Sequence, residues 1–195
     1  HHLVERLRKH DYSKPLAYMQ AYLQAMDEAM FAAVGPSEDP GRGIAALGPR
    51  MLETAAAQAS GAHPYLTTPE HTARARATMG PDPLLAPEQM VVLESDPDTA
   101  RAIARQGLAV YLRAPNYQRN LRTLGFDDAD WADPKAASDR LVDGLVAWGG
   151  PEAVAERVAE HHAAGADHVC VQVLQADPRT APIEQLRRLA PVLLG

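Results

Sequence analysis

Cysteine, aromatic side chains, positive charge and long apolar runs are all scarce in this chain of 195 residues. Cys170 is the single cysteine, so no internal disulfide can form, and we expect a cytoplasmic protein held together by packing. No run approaches the roughly 18 consecutive apolar residues of a membrane span, and the first residues lack the apolar core of a secretory signal. The chain has 19 Lys and Arg residues against 25 Asp and Glu residues. Its formal charge of -6 has the wrong sign for binding the phosphate backbone of nucleic acid. These shortages favour one soluble globular domain without nucleic acid or membrane as a partner.

Helical spacing alternates with short apolar runs along the chain. Apolar residues recur three and four apart from Leu16 to Met30, which predicts an amphipathic helix after Pro15. Helices precede or follow four short runs that we interpret as strands: 44–47, 61–66, 89–93 and 168–174. This alternation predicts an α/β fold of parallel strands joined by right-handed crossovers. The stretch 115–148 is longer than a crossover requires, so we expect an insertion with some helix within a single domain over residues 1–195.

The turn Gly48-Pro49-Arg50-Met51 follows the first predicted strand and opens a helix. Ligands of parallel α/β folds meet the carboxyl ends of the strands, and amides at a helix start favour an anion. The amides of Gly48, Arg50 and Met51 are the candidate donors, Arg50 adds a positive charge, and Pro49 donates nothing. The alternative is an ordinary tight turn that carries a surface arginine.

Other chemistry-bearing residues are less specific. His63 and Tyr65 end the second predicted strand and could donate protons or hydrogen bonds to a ring, or could simply be packed and satisfied. His161 and His162 are adjacent on a predicted helix and therefore point about 100° apart, so they do not chelate a metal. No other spacing resembles a metal site, and we predict none. Cys170 lies between valines and is expected to be a structural thiol rather than a nucleophile.

Four strings of residues, taken in order, resemble the luciferase-like monooxygenase superfamily, and more narrowly its oxidoreductases that use the deazaflavin coenzyme F420. The strings are 45–53, 61–72, 115–117 and 165–174. The resemblance implies a (β/α)8 TIM barrel of the bacterial-luciferase type, of which this chain supplies about the last four strands. The first four strands would then precede His1 in a longer parent. Half a barrel leaves two unpaired strand edges, so pairing with a second copy is the alternative.

The resemblance also implies roles for particular residues. It places the phosphate of the coenzyme on the turn at Gly48, Pro49, Arg50 and Met51. The residues it brings near the coenzyme from the next turn are His63, Tyr65 and Thr67. The residues of the insertion that would shape the substrate pocket are Asn116, Tyr117 and Asn120. The catalytic residues are expected in the strands before His1.

The function that the resemblance implies is hydride transfer between coenzyme F420, an 8-hydroxy-5-deazaflavin, and a small organic substrate. An apolar insertion that is exposed favours a homodimer. The first alternative is an FMN-dependent monooxygenase of the same superfamily, because FMN also carries a phosphate. The second alternative is a truncated, non-catalytic half-barrel that acts as a subunit or scaffold.

Overall fold

The computed structural model describes residues 5, 7, 9, 13–30, 32–38 and 40–195. His1 lies outside these residues. The helices are α1 (Pro15–Glu28), α2 (Pro49–Gln58), α3 (Pro69–Met79), α4 (Pro97–Leu108), α5 (Pro115–Thr123), α6 (Asp139–Leu145), α7 (Pro151–Ala163) and α8 (Ile183–Leu193). The strands are β1 (Gly43–Ile44), β2 (Gly61–Ala62), β3 (Leu84–Leu85), β4 (Glu88–Val92), β5 (Val146–Trp148) and β6 (Cys170–Val173). Three short 3-10 turns lie between α4 and α6: Tyr111–Arg113, Asp128–Trp131 and Pro134–Ala136.

Proline marks the first residue of most of these helices. The missing N–H of proline is no loss at a helix start, where the amides have no partner within the helix, and its fixed φ suits the first turn. The helices predicted after Pro15, Pro49 and Pro97 therefore begin as expected. The helix from Pro97 ends at Leu108, although its apolar spacing continues into the 3-10 turn that follows.

The strands form two parallel sheets in the orders β1-β2-β3 and β5-β4-β6. The extended segment 84–92 joins them, because the Ala86 and Glu88 amides both donate to β2 and the residues after it, at 2.9 Å to the carbonyls of Ala62 and Pro64. Four neighbouring parallel strands therefore run in the order β1, β2, 84–92, β6, which confirms the predicted α/β class. From Met90 onward β5 replaces β2 beside β4. The residues of β5 were predicted to belong to the insertion 115–148, and no strand was predicted there.

The pairing of β2 with β3 depends on a glycine. A Cβ added at Gly61 would lie 2.0 Å from the carbonyl oxygen of Leu84, a backbone atom that cannot move without breaking the pairing. By contrast, a Cβ at Gly43 would meet nothing within 4 Å. Gly61 is therefore needed for the close approach of two backbones.

Both faces of β4 are covered, so all five of its residues are buried. Val91 packs with Val154 of α7 and Leu189 of α8. Met90 and Val92 point the other way, as alternation along a strand requires, and pack with residues of α4 and α6. The helices α4 to α6 thus cover the face opposite to α7 and α8.

Arg76 of α3 joins two loops at the amino ends of the strands, the loop between α3 and β3 and the loop between α7 and β6. Its guanidinium donates to the carbonyl oxygens of Gly165, Gly80 and Pro83 at 2.9, 2.7 and 2.9 Å, and to the Asp167 carboxylate at 2.6 Å. The same carboxylate accepts the amide of β3 at 2.7 Å. A planar fork of five N–H groups can satisfy these acceptors at once, which a lysine cannot.

The strands β1 and β6 end the strand order, and each has one strand neighbour within the described part of the chain. All four residues of β6 are only partly buried. This arrangement agrees with the two unpaired edges expected of half a barrel. Among the helices that the structure describes, none combines the length and the apolar character needed to cross a bilayer.

Candidate functional site

The turn at Gly48 lies at the carboxyl end of β1 and starts α2. Gly48 is the residue before the helix, with φ -83° and ψ 158°, and a Cβ there would meet nothing within 4 Å. Its carbonyl oxygen accepts the amides of Met51 and Leu52, both at 3.1 Å. The Met51 amide, predicted as an anion donor, is therefore already used within the first turn. The amides of Gly48 and Arg50 precede the helical bonding pattern and are the better placed donors.

A cavity of about 500 Å³ opens beside this turn, between the start of α2 and the helices α3 and α5. We call it the Gly48 cavity. Of the predicted residues, Gly48, Pro49, Asn116 and Asn120 line it. The residues that α5 contributes recur three and four apart and thus belong to one helical face: Asn116, Arg119, Asn120 and Thr123. The structure therefore brings residues that we assigned to the coenzyme and to the substrate into one cavity.

Two arginines that the sequence analysis did not select provide positive charge in this cavity, Arg74 of α3 and Arg119 of α5. Arg74 forms an ion pair with Glu70 and donates to the carbonyl oxygen of Thr123 at 2.6 Å. Arg119 is exposed, and no hydrogen bond or ion pair engages its side chain in the described part of the chain. Arg50 is also exposed but does not line the cavity. The helical spacing of Arg119 from Asn116 was the sequence signal that could have identified it.

Two buried polar atoms at the cavity lack partners among the described residues. Asn120 is 9% exposed, and its amide nitrogen Nδ2 has no acceptor. His71 of α3 is 3% exposed, and its Nε2 donates to the carbonyl oxygen of Leu47 at 2.9 Å. Burial lowers the pKa of His71, so the ring is neutral and its unpartnered Nδ1 is an acceptor. An unpartnered buried donor such as Asn120 Nδ2 is unfavourable unless a ligand completes it.

The residues predicted after β2 lie elsewhere. His63 donates from Nδ1 to the carbonyl oxygen of Ala86 at 2.6 Å and so joins β2 to the segment 84–92. This contact matches the packed and satisfied alternative for His63. Thr67 is 1% exposed, and its hydroxyl has no partner within the residues that the structure describes. Neither residue lines the Gly48 cavity.

Tyr65 belongs to a cluster of three tyrosines. Its hydroxyl lies 2.6 Å from Oε1 of Gln172 on β6 and 2.9 Å from the Tyr111 hydroxyl. The glutamine oxygen only accepts, so Tyr65 donates to Gln172 and accepts from Tyr111. The ring of Tyr117 packs against this pair, with centroid distances of 6.4 Å to Tyr65 and 5.8 Å to Tyr111. Burial raises the pKa of Tyr65, which therefore stays protonated at neutral pH.

His161 is fully buried between α7, α3 and β4. Its Nε2 lies 2.9 Å from Oε1 of Gln89, whose amide nitrogen donates to two backbone carbonyls, so Nε2 carries the proton. Its Nδ1 accepts from the Thr72 hydroxyl at 2.8 Å. Burial lowers the pKa of His161 to about 4. His162 instead contacts the carbonyl oxygen of Ala166, so the two histidines point to different partners, as predicted.

Neighbouring parallel strands, covered by helices and with a cavity near their carboxyl ends, are typical of barrel-type α/β proteins. The family model of luciferase-like monooxygenases matches residues 2–168, and the chain therefore belongs to that family. This match confirms the family that the sequence strings resemble and the fold class that they imply.

Solved structures agree on the fold. The chain is similar to the coenzyme F420-dependent tetrahydromethanopterin reductase from Methanopyrus kandleri, with a TM-score of 0.56, 18% identity, and coverage of 76% of this chain and 48% of that one. It is also similar to an F420-dependent secondary alcohol dehydrogenase in complex with an F420-acetone adduct, with a TM-score of 0.61, 12% identity, and coverage of 84% and 52%. A third similar structure is apo-MsnO8, with a TM-score of 0.55, 15% identity, and coverage of 94% and 61%.

The chain thus spans about half the length of the first two of these proteins. Among curated proteins, none matches its sequence.

Proposed function

We propose that this chain is the coenzyme-phosphate-binding part of an oxidoreductase that transfers a hydride between coenzyme F420 and a small organic substrate. The observation that carries the proposal is the convergence, at the start of α2, of two groups that have no partner within the part of the chain that the structure describes: the guanidinium of Arg119 and the buried amide donor of Asn120. Family membership and two F420-dependent structural neighbours support the choice of coenzyme.

The residues of the Gly48 cavity suit a phosphate. The start of α2 contributes roughly half a positive charge and outward-pointing amides. Arg119 adds a full charge, Arg74 adds a charge that it shares with Glu70, and Asn120 Nδ2 supplies a donor from a site that water reaches poorly. Charge-assisted hydrogen bonds of this kind are about twice as strong as neutral ones. His71 remains neutral, and its Nδ1 would accept from a hydroxyl of the coenzyme side chain.

The bound deazaflavin would supply the hydride chemistry, and the role of this chain is to bind, orient and shield. The Gly48 cavity would hold the anionic tail in one place. The tyrosine cluster connects the chain after β2 to β6 through the bond between Tyr65 and Gln172 and would limit the access of water. Residues that complete the reaction would belong to the remaining strands of the barrel.

The test is a titration of the protein with F420 and with FMN, followed by coenzyme fluorescence. Arg119→Glu should weaken F420 binding by roughly 1 to 3 kcal/mol, about 5- to 150-fold, because it reverses a charge in the cavity. Arg50→Glu should weaken binding less, because Arg50 lies outside the cavity. Arg188→Glu, on the exposed side of α8, is the matched control and should leave binding unchanged.

Each result decides between the candidates. Tight binding of FMN alone would favour the monooxygenase. Binding of neither coenzyme would favour the non-catalytic half-barrel. Binding of F420 with equal affinity in the Arg119→Glu variant and the wild type would refute the Gly48 cavity as the phosphate site. The proposed homodimer is checked separately by light scattering of the same samples.

A further inference from the structure

On one side of the segment 84–92 the neighbouring strand changes from β2 to β5, and Glu88 lies at this change. Its amide makes the last backbone bond to the β2 side, at 2.9 Å to the carbonyl oxygen of Pro64. Two residues later β5 pairs with β4, beginning with Met90 opposite Val146. Between these points the chain after β2 turns away, and Leu66 adopts a left-handed backbone with φ 59°. Leucine rarely adopts this conformation unless its surroundings enforce it.

At this position the side chain of Glu88, rather than a backbone carbonyl, accepts a hydrogen bond from the chain after β2. Its Oε2 accepts the Leu66 amide at 3.3 Å, so the amide that leaves the sheet still has an acceptor. Glu88 is only 4% exposed, and its other oxygen, Oε1, has no partner among the residues that the structure describes. A buried carboxyl with a single hydrogen bond is unfavourable, and an apolar residue would pack there more easily. The contact with Leu66 is the feature of this position that requires an acceptor.

Tyr65 directly precedes the left-handed turn at Leu66. Gln172 pairs with Met90 across β4, on the side away from β2. The Tyr65 hydroxyl reaches Gln172 at 2.6 Å, so its side chain crosses the face of β4 and links β2 to β6. The Tyr111 hydroxyl, 2.9 Å away, connects the same bridge to the segment between α4 and α5. A change in the backbone at Leu66 would therefore move both contacts.

We propose that Glu88 is a positioning residue for Tyr65: by accepting the Leu66 amide it holds the left-handed turn that sets the phenol between Gln172 and Tyr111. Where Tyr65 contributes to coenzyme binding, which rests on the function proposed above, Glu88 acts on that binding through Tyr65.

Ionisation of Glu88 offers an independent readout of this linkage. Burial raises the pKa of Glu88 to about 7, against the opposite influence of the Leu66 amide. The titratable groups that feel its charge are Tyr65 of the β2 turn and Cys170 of β6, and both have raised pKa values and stay neutral while Glu88 titrates. The Tyr65 signals should therefore report the ionisation of one nearby group.

The first experiment measures hydrogen exchange of the Leu66 amide and the ring signals of Tyr65 by NMR, without coenzyme. Glu88→Gln keeps an acceptor and should keep the Leu66 amide protected. Glu88→Met keeps the length of the side chain without an acceptor, so exchange at Leu66 should accelerate at least about tenfold while the amide of His63, bonded to Ile44, stays protected. Unchanged exchange at Leu66 in Glu88→Met would overturn the proposal.

The second experiment is a pH titration followed by NMR, and it does not require the Glu88→Met variant to fold. In the wild type the Tyr65 signals should shift with a midpoint near pH 7, and in Glu88→Gln they should not. Glu156→Gln, on the exposed face of α7, is the control and should behave as the wild type. A wild type without this transition, or a transition that persists in Glu88→Gln, would refute the linkage.

The coenzyme arm separates this inference from the proposed function. If F420 binds, Tyr65→Phe and Glu88→Met should weaken it by similar factors, and the double variant by no more than either one, because both changes act on one contact. Additive losses would contradict the role of Glu88. If F420 does not bind the wild type, the proposed function fails, while the exchange and pH measurements still decide whether Glu88 positions Tyr65.

Discussion

The effect on stability of replacing Glu88 with glutamine should become more favourable as the pH rises. The folded-state pKa of about 7 lies above the ordinary value of 4.5, so folding favours the protonated carboxyl. The stability that protonation contributes is fully present below pH 4.5 and is lost as the pH rises through 7. A rise of this size corresponds to about 3 kcal/mol.

Glutamine is nearly isosteric with the protonated carboxyl but cannot ionise. Its extra N–H group changes stability by an amount that does not depend on pH, so the pH dependence of the difference between the two proteins is the quantity to measure. From pH 4.5 to pH 8 the free energy of unfolding of Glu88→Gln should rise by about 3 kcal/mol relative to the wild type.

Urea unfolding at half-unit steps of pH, with Glu156→Gln as the control, provides this measurement. Linear extrapolation gives the free energy of unfolding at each pH. The control and the wild type should follow the same curve, because Glu156 is exposed. Parallel curves for Glu88→Gln and the wild type over the whole range would show that Glu88 ionises freely in the folded protein, and the account of its burial would be wrong.

Further predictions concern stability at three other positions. His161 has its pKa lowered from 6.5 to about 4, so the neutral ring contributes stability that is lost as the pH falls from 6.5 through 4, about 3 kcal/mol in all; His161→Gln should lack this dependence in urea unfolding between pH 7 and 4. Arg76→Lys should lower the free energy of unfolding by about 2 to 3 kcal/mol, because the ammonium replaces a fork that serves several acceptors, and an equal effect of Arg188→Lys would refute this. Gly61→Ala should cost more than about 3 kcal/mol or prevent folding, whereas Gly43→Ala should change stability by less than about 1 kcal/mol, as judged by thermal unfolding; similar melting of the two variants would contradict the close approach at β2.

The outline of the fold follows from local patterns in the sequence. Proline followed by apolar residues at helical spacing predicts where helices begin, because the signal lies within one turn of the chain. The runs around Ile44 and Val91 predict strands, since short apolar segments next to helices have to be buried. The last helix, α8, was not predicted, although Leu186, Leu189 and Leu193 recur at helical spacing. The strand β5 was not predicted either, because its pairing with β4 joins residues far apart in sequence.

The candidate site, like the fold, was predictable from the sequence only in part. The turn at Gly48 was recognisable because a glycine, a proline and a helix start are contiguous in the chain. Which arginine shares its cavity depends on how α5 packs across α2 and α3, and this contact places Arg119 there and Arg50 outside.

Sequence alone thus determined the alternation of helices and strands, the glycine-proline turn that starts α2 and the family, since each depends on residues close together or on ordered strings. The tertiary structure alone decided that Glu88 is buried, with one oxygen that has no partner among the described residues, and that Tyr65 reaches Gln172. The physical reason is that burial and hydrogen bonding are properties of neighbours in space, and the neighbours of Glu88 come from several strands.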